Sequence, residues 1–215
     1  MTLTKTLFRE KCLALQKKQM NYNKIYKNSL LNKQLKKLLL KYKNKTILFY
    51  YPLPMEANIV KTLQYMRKVS DVYIPFMEGE SFKMVPFRLP LKKKKFGIFE
   101  AGNTYKNINK IDIAIVPAVG VDGNFQRVGF GKGMYDRFFE KLKKRPYTIF
   151  IQNEYCYTKE YLCDDYDISC DILLTSKICR MNKYLFIKNP NYQKPKEMTN
   201  ARQKSAVATG SFKGF

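Results

Sequence analysis

The chain has 215 residues, with 41 Lys and Arg against 17 Asp and Glu and no histidine, for a formal net charge of +24. With 45% hydrophobic residues it can bury the core of one ordinary domain, which excludes a disordered polycation. The missing histidines exclude a His-dependent triad, a His-ligated zinc site and an imidazole acid–base catalyst.

In chain order, residues 2–20 and 22–42 both predict helices. In the second, Tyr26, Leu30, Leu31, Leu35, Leu38 and Leu39 recur at helical spacing between lysines. The apolar run 46–51, stopped by Pro52 and Pro54, predicts a buried strand, and 57–68 a further helix. Strands are expected over 71–76 and 82–87, and the lysines at 92–95 read as a solvated loop. Residues 111–117 are apolar almost throughout, as a strand buried on both faces should be. A glycine-rich stretch and a helix over about 132–144 follow, then strands over 147–152 and 171–175. Alternating strands and helices predict an α/β domain. Its central sheet is mixed or parallel and flanked by helices, with two helices at the N-terminus. The domain is expected over 1–188, with 189–215 a loosely ordered extension.

A charge of +24 first points to nucleic acid, through lysines that neutralise phosphates. Lys far outnumbers Arg, however, and bidentate recognition of phosphates and base edges favours Arg, so nucleic acid is not the expected partner. A small polyanion attracted by the overall field is a further reading. The five cysteines, Cys12, Cys156, Cys163, Cys170 and Cys179, form no C-x-x-C pair, and with no histidine they complete no zinc set. They are expected as free thiols in a reducing cytoplasm. The N-terminus lacks a signal-peptide core and no run reaches the length of a membrane span, so the expected location is cytoplasmic.

The informative segment runs from Val116 to Phe139, V-P-A-V-G-V-D-G-N-F-Q-R-V-G-F-G-K-G-M-Y-D-R-F-F. Here a buried strand ends and five glycines surround Lys132 before a helix begins. Ligands of open α/β sheets bind beyond the carboxyl ends of strands, where such a loop lies. Glycines admit phosphate oxygens to backbone N–H groups, and Lys132 adds a full charge. The spacing is not the Walker pattern, since Gly133 stands where Ser or Thr would hold magnesium, and it is not the Rossmann fingerprint either. Asp136, four positions after Lys132, is expected on the same helical face, where it can hold magnesium against phosphates. Asp164, Asp165, Asp167 and Asp171 form a local acidic cluster that offers a second metal ligand. A tight turn, a helix charge pair and a solvated acidic loop are the bland alternatives.

The block P-A-V-G-V-D-x-x-x-x-R-V-G-F-G-K-G-M-Y-D-R-F resembles the signature of the 5-formyltetrahydrofolate cyclo-ligase (methenyltetrahydrofolate synthetase) family, roughly P-G-x-x-F-D-x-x-G-x-R-L-G-x-G-x-G-Y-Y-D-R. Further matches are Lys5 and Arg9 on the first helix, Glu56 after the first strand, Met84, G-I-F-E-A at 97–101, and Tyr166, Asp167, Asp171 and Thr175 near the end. The resemblance covers about residues 3–180. Ala118, Phe125, Met134, Ala101 and Tyr166 depart from the pattern, while the G-x-G-K-G core and the charged residues remain.

The resemblance implies an ATP- and Mg2+-dependent ligase of one-carbon metabolism. It would cyclise 5-formyltetrahydrofolate to 5,10-methenyltetrahydrofolate and release ADP and phosphate. It implies that Lys5 and Arg9 reach the ATP phosphates, and that Arg127, Gly129, Gly131, Lys132 and Gly133 form the phosphate loop with Tyr135 beside it. Asp136 and Asp167 would hold magnesium. Tyr51, Glu56, Phe130 and Met134 would contact the folate, and Lys132 and Arg127 would stabilise the transferring charge. Small-molecule partners are implied, ATP and a folate with or without a polyglutamate tail, acting on a monomer and without a membrane. Two alternatives stay open: a basic nucleic-acid-binding protein that keeps the fold without the chemistry, and an ATP-dependent enzyme acting on a related pterin-like substrate.

Overall fold

The computed structural model describes residues 2–19, 22–94, 99–104, 108 and 110–182. The chain begins with two helices, α1 (Lys5–Gln19) and α2 (Lys24–Leu39), the second closing in a short 3-10 turn over Leu40–Tyr42. Strand β1 (Thr46–Leu48), helix α3 (Val60–Met66) and the hairpin β2 (Asp71–Glu78) and β3 (Ser81–Pro86) follow. A small ribbon, β4 (Lys92–Lys93) with β5 (Phe99–Glu100), precedes β6 (Ile113–Pro117) and a second ribbon, β7 (Gly120–Val121) with β8 (Arg127–Val128). Helix α4 (Met134–Glu140), β9 (Tyr147–Ile151), β10 (Ile172–Leu174) and β11 (Cys179–Met181) complete the described fold.

The main sheet runs β11-β10-β9-β6-β1-β2-β3. Its five inner strands are parallel to their inner neighbours, while β3 and β11 pair antiparallel at the two edges. The expected mixed α/β sheet is therefore present, with both faces covered. Leu48, Ala114, Val116 and Phe150 belong to one core cluster with Phe82 and Phe138, so α4 packs on that face. Strand alternation sends the equally buried Ile47, Ile113, Ile115 and Ile149 to the other face. Helices α2 and α3 are joined through a buried amide: Asn32 Oδ1 accepts from the Thr62 N–H at 2.9 Å and from its hydroxyl at 2.8 Å.

Helix α1 buries Phe8, Cys12 and Gln16, one stripe at successive turns, against Val119, Val128 and Cys156. There the expectation of free thiols fails for one pair, because Cys12 and Cys156 form a disulfide with a Cα separation of 5.8 Å. Spacing could not reveal it, since the two lie 144 residues apart and meet only when α1 docks. Cys163, Cys170 and Cys179 are free thiols.

Other expectations are corrected in detail. Lys92 and Lys93 are not loop but pair with Glu100 and Phe99. The helix expected from 132 begins at Met134, because Gly133 sits at φ 58° in the left-handed region, and Lys132 stands before the helix rather than on its face. Tyr26 is exposed, and Leu31, Leu35 and Leu39 carry the buried stripe of α2. Edge strand β11 is exposed throughout and gave no alternation to read. Among the described residues no helix is long and apolar enough to cross a membrane. The expected extension 189–215, and its boundary at 188, lie outside the described residues.

Candidate active site

Sheet order changes direction between β1 and β6: from β1 the chain moves outward to β2 and β3, and from β6 outward to β9 and β10. Such a switch point opens a crevice beyond the carboxyl ends of the two strands. The segment after β1 carries Tyr50, Tyr51 and Glu56, and the segment after β6 carries the glycine loop. Two clefts open there, of about 710 and 670 Å³.

The first cleft is lined by Lys5 and Arg9 of α1, by Gly129, Gly131 and Gly133, and by Asp136 and Asp167. Lys5 Nζ donates to Asp167 Oδ2 and, at 3.2 Å, to Asp164 Oδ2. Burial works against the ammonium, but these bonds outweigh it and hold its pKa above the usual lysine value. Arg9 Nε donates to the Gly129 carbonyl at 2.8 Å. Asp167 Oδ2 also accepts the Asp164 N–H, and Asp136 Oδ1 accepts the N–H of Ile168 at 3.2 Å. The first turn of α4 and the 164–168 turn are thus joined, which brings the two expected metal carboxylates together. Asp171, in the same acidic cluster, is structural: it accepts from Arg145 and from the Thr148 N–H.

Among the described residues no three carboxylate or cysteine side chains gather as a self-sufficient metal cage. Magnesium in nucleotide sites takes one or two carboxylates and completes its shell with phosphate oxygens and water. Asp136 and Asp167, each using one oxygen in the bonds above, fit that donor set.

Arg127 lies between the clefts and lines both. Its side chain is buried, Nε donates to the Pro117 carbonyl at 2.8 Å, and its guanidinium lies 4.8 Å from the Tyr135 ring centre. A Cβ on Gly129 would stand 2.5 Å from Arg127 Nη1, so glycine there makes room for the guanidinium. Along the loop, Gly129 and Gly131 line the first cleft while Phe130 and Lys132 line the second. Lys132, expected on the phosphates, therefore stands on the far wall of the loop.

The second cleft is aromatic. Tyr50, Tyr51, Phe82 and Tyr135 line it together with Phe130 and Met134. Phe130 is an apolar ring of this lining that stays 40% exposed. Glu56 is the cleft's inner carboxyl. Burial pushes its pKa up to about 7, opposed by the Leu53 N–H that it accepts and by the Arg127 guanidinium. Burial likewise raises the Tyr50 and Tyr135 phenols, with Glu56 adding to both. Tyr51 packs against Phe99, centroids 5.5 Å apart, and Glu100 beside it accepts the Met77 N–H, tying β5 to β2.

Every residue to which the resemblance gives a role lines one or other cleft, Tyr135 the second, whereas Asp164 and Asp171 of the acidic cluster line neither. Three contributors went unread. Tyr50 is buried, with its hydroxyl bonded to the Ala57 carbonyl, and looks in sequence like one more strand aromatic. Arg137, next to Asp136 in the motif, lines both clefts. Asp122, fully buried, accepts the N–H groups of Asn124, Gln126, Leu162 and Cys163 and so fixes the turns beneath the first cleft. Phe125 stands where the resembled pattern has glycine, yet keeps the left-handed turn at φ 60°.

Fold and clefts together define a class of α/β protein suited to holding a polyanion next to an aromatic ring system, across one glycine loop. The model of the 5-formyltetrahydrofolate cyclo-ligase family matches residues 2–176. The chain is 28% identical over 134 residues to the 5-formyltetrahydrofolate cyclo-ligase of Mycoplasma pneumoniae, 62% of this chain and 74% of that one. It is 26% identical over 112 residues to the Haemophilus influenzae protein of the same name, 48% of this chain and 60% of that one. The solved Aquifex aeolicus 5,10-methenyltetrahydrofolate synthetase superposes with a TM-score of 0.67 at 25% identity, covering 84% of this chain and 94% of that one. The chain belongs to the 5-formyltetrahydrofolate cyclo-ligase family.

Proposed function

We propose that the chain cyclises 5-formyltetrahydrofolate to 5,10-methenyltetrahydrofolate at the expense of ATP, which leaves as ADP and phosphate. The observation that carries this reading is that a charged cleft and an aromatic cleft meet over one buried cation, Arg127, and one glycine loop. ATP would lie in the first cleft with its phosphates on Lys5, Arg9 and the loop, and the pterin in the second between Tyr51, Phe130 and Met134. Glu56 would accept the pterin N–H donors.

A formyl amide is a poor electrophile, and its oxygen is a poor leaving group. In this reading that oxygen takes the terminal phosphoryl group and ADP departs. The neighbouring amine nitrogen then attacks the activated carbon, loses its proton, and phosphate leaves with the former formyl oxygen. The protein needs only to align the two ligands and to stabilise moving negative charge, which Arg127 and Lys132 would do without a nucleophilic side chain or histidine. Bound magnesium, on Asp136 and Asp167, would neutralise phosphate charge.

Mixing the chain with 5-formyltetrahydrofolate and Mg-ATP tests the reading. Methenyltetrahydrofolate absorbance should rise in step with ADP. Folded chain giving no product overturns it.

A further inference from the structure

Arg137 donates to two backbone carbonyls from distant parts of the chain. From α4, its Nε reaches the Glu80 carbonyl at 2.9 Å, joined there by Nη2, and Nη2 also reaches the Lys132 carbonyl at 2.6 Å. Among the described residues Arg137 enters no ion pair, so these carbonyls are what orient its planar fork. Glu80 lies in the β2–β3 turn, which lines the second cleft through Met77, Gly79 and Glu80. Lys132 lies in the glycine loop. That loop is bracketed by two arginines: Arg9 holds the Gly129 carbonyl from the first cleft, and Arg137 holds the Lys132 carbonyl where the clefts meet.

Between those brackets successive residues face opposite clefts. A shift that seats a ligand against Gly131 must therefore move Phe130 and Lys132 on the other side. How far this happens depends on whether the loop moves as one piece with the turn it abuts. The turn is itself seated on α4, since Phe82 stacks on Phe138 at 4.3 Å and the Ser81 hydroxyl lies 3.4 Å from the Met134 carbonyl.

We propose that Arg137 is a positioning residue that locks the glycine loop to the β2–β3 turn, so that each ligand raises the other's affinity. The inference rests on the functional reading above. It extends it by giving one side chain the coupling between the two sites, a quantity that is the same whichever ligand binds first.

The test uses the full chain and measures the dissociation constant of 5-formyltetrahydrofolate with and without a saturating non-hydrolysable Mg-ATP analogue. In the wild type the nucleotide should tighten folate binding at least about fivefold, the lower end of ordinary coupling. Arg137→Ala should bring that ratio below about twofold, and Arg137→Lys should give an intermediate ratio. A wild-type ratio in Arg137→Ala overturns the inference, as does a large loss of nucleotide affinity with coupling intact, the mark of a direct phosphate contact. Should Arg137→Ala not fold, a full wild-type ratio in Arg137→Lys overturns it. A wild-type chain that binds both ligands without coupling overturns this inference alone, and one that binds neither overturns the functional reading with it.

Discussion

The first cleft is walled by Lys5, Arg9, Asp136 and Asp167, while the second is walled by tyrosines, Phe130 and Met134 around the buried carboxyl of Glu56. The first holds its shape through ion pairs and charge-assisted bonds between α1, the loop and the 164–168 turn. The second holds its shape through ring packing and the sheet itself. In the proposed reading a polyanion meets paired charges that can change partner. A flat heterocycle meets rings already in place. The two meet only at Arg127, the Gly133 backbone and Arg137, so substitutions should separate into those that affect one ligand and those that affect both.

The strongest way to break that comparison is Arg127→Ala. The buried cation serves both sides, so kcat/KM should fall about 10²–10³-fold with weaker binding of both ligands, read by steady-state kinetics and titration. Loss confined to one ligand would place Arg127 in one cleft. Asp136→Asn should lower kcat/KM about 10–100-fold and raise the magnesium concentration needed for half-maximal rate, leaving folate binding unchanged.

Glu56 sharpens the second cleft. With its pKa pushed up to about 7, the carboxyl is about one-tenth ionised at pH 6 and nine-tenths at pH 8. A pterin that donates N–H groups selects the carboxylate, so folate affinity should rise roughly tenfold over that interval and stay flat in Glu56→Gln. The stability effect has a matching sign. A raised carboxyl pKa favours the folded state below the unfolded value, and that advantage is lost as pH rises through about 7. The Tm of Glu56→Gln should therefore fall less than that of wild type between pH 5 and 8.

The smallest expected effect on catalysis comes from Cys156→Ser, which removes the bond between α1 and the segment after β9. The Tm should drop by about 5 °C, and nucleotide affinity should weaken a few-fold through α1, while folate affinity holds. An equal loss for both ligands would show that α1 supports the whole site.

The same contrast explains what could be read without coordinates. The glycine loop, Lys132 and Asp136 are contiguous, and their charge and spacing advertise a phosphate site directly. Lys5, Arg9 and Glu56 were reached only through family resemblance, which also picked Asp167 out of its acidic cluster, because nothing local marks a lysine on α1 as the partner of an aspartate 162 residues away. The aromatic wall was hardest to read: Tyr50 is distinguished from a core tyrosine only by where β1 ends. Long apolar strands such as β6 and β9 were legible. The ribbons β4–β5 and β7–β8 are too short to show alternation. The Cys12–Cys156 bond depends entirely on docking.

The central claim is that the two clefts act on one transferring group across the loop. The most direct measurement uses 5-formyltetrahydrofolate carrying 18O in its formyl group, with mass analysis of the phosphate released. The account predicts one 18O atom in each phosphate formed. Label appearing in water instead, with unlabelled phosphate, would contradict phosphoryl transfer to the formyl oxygen.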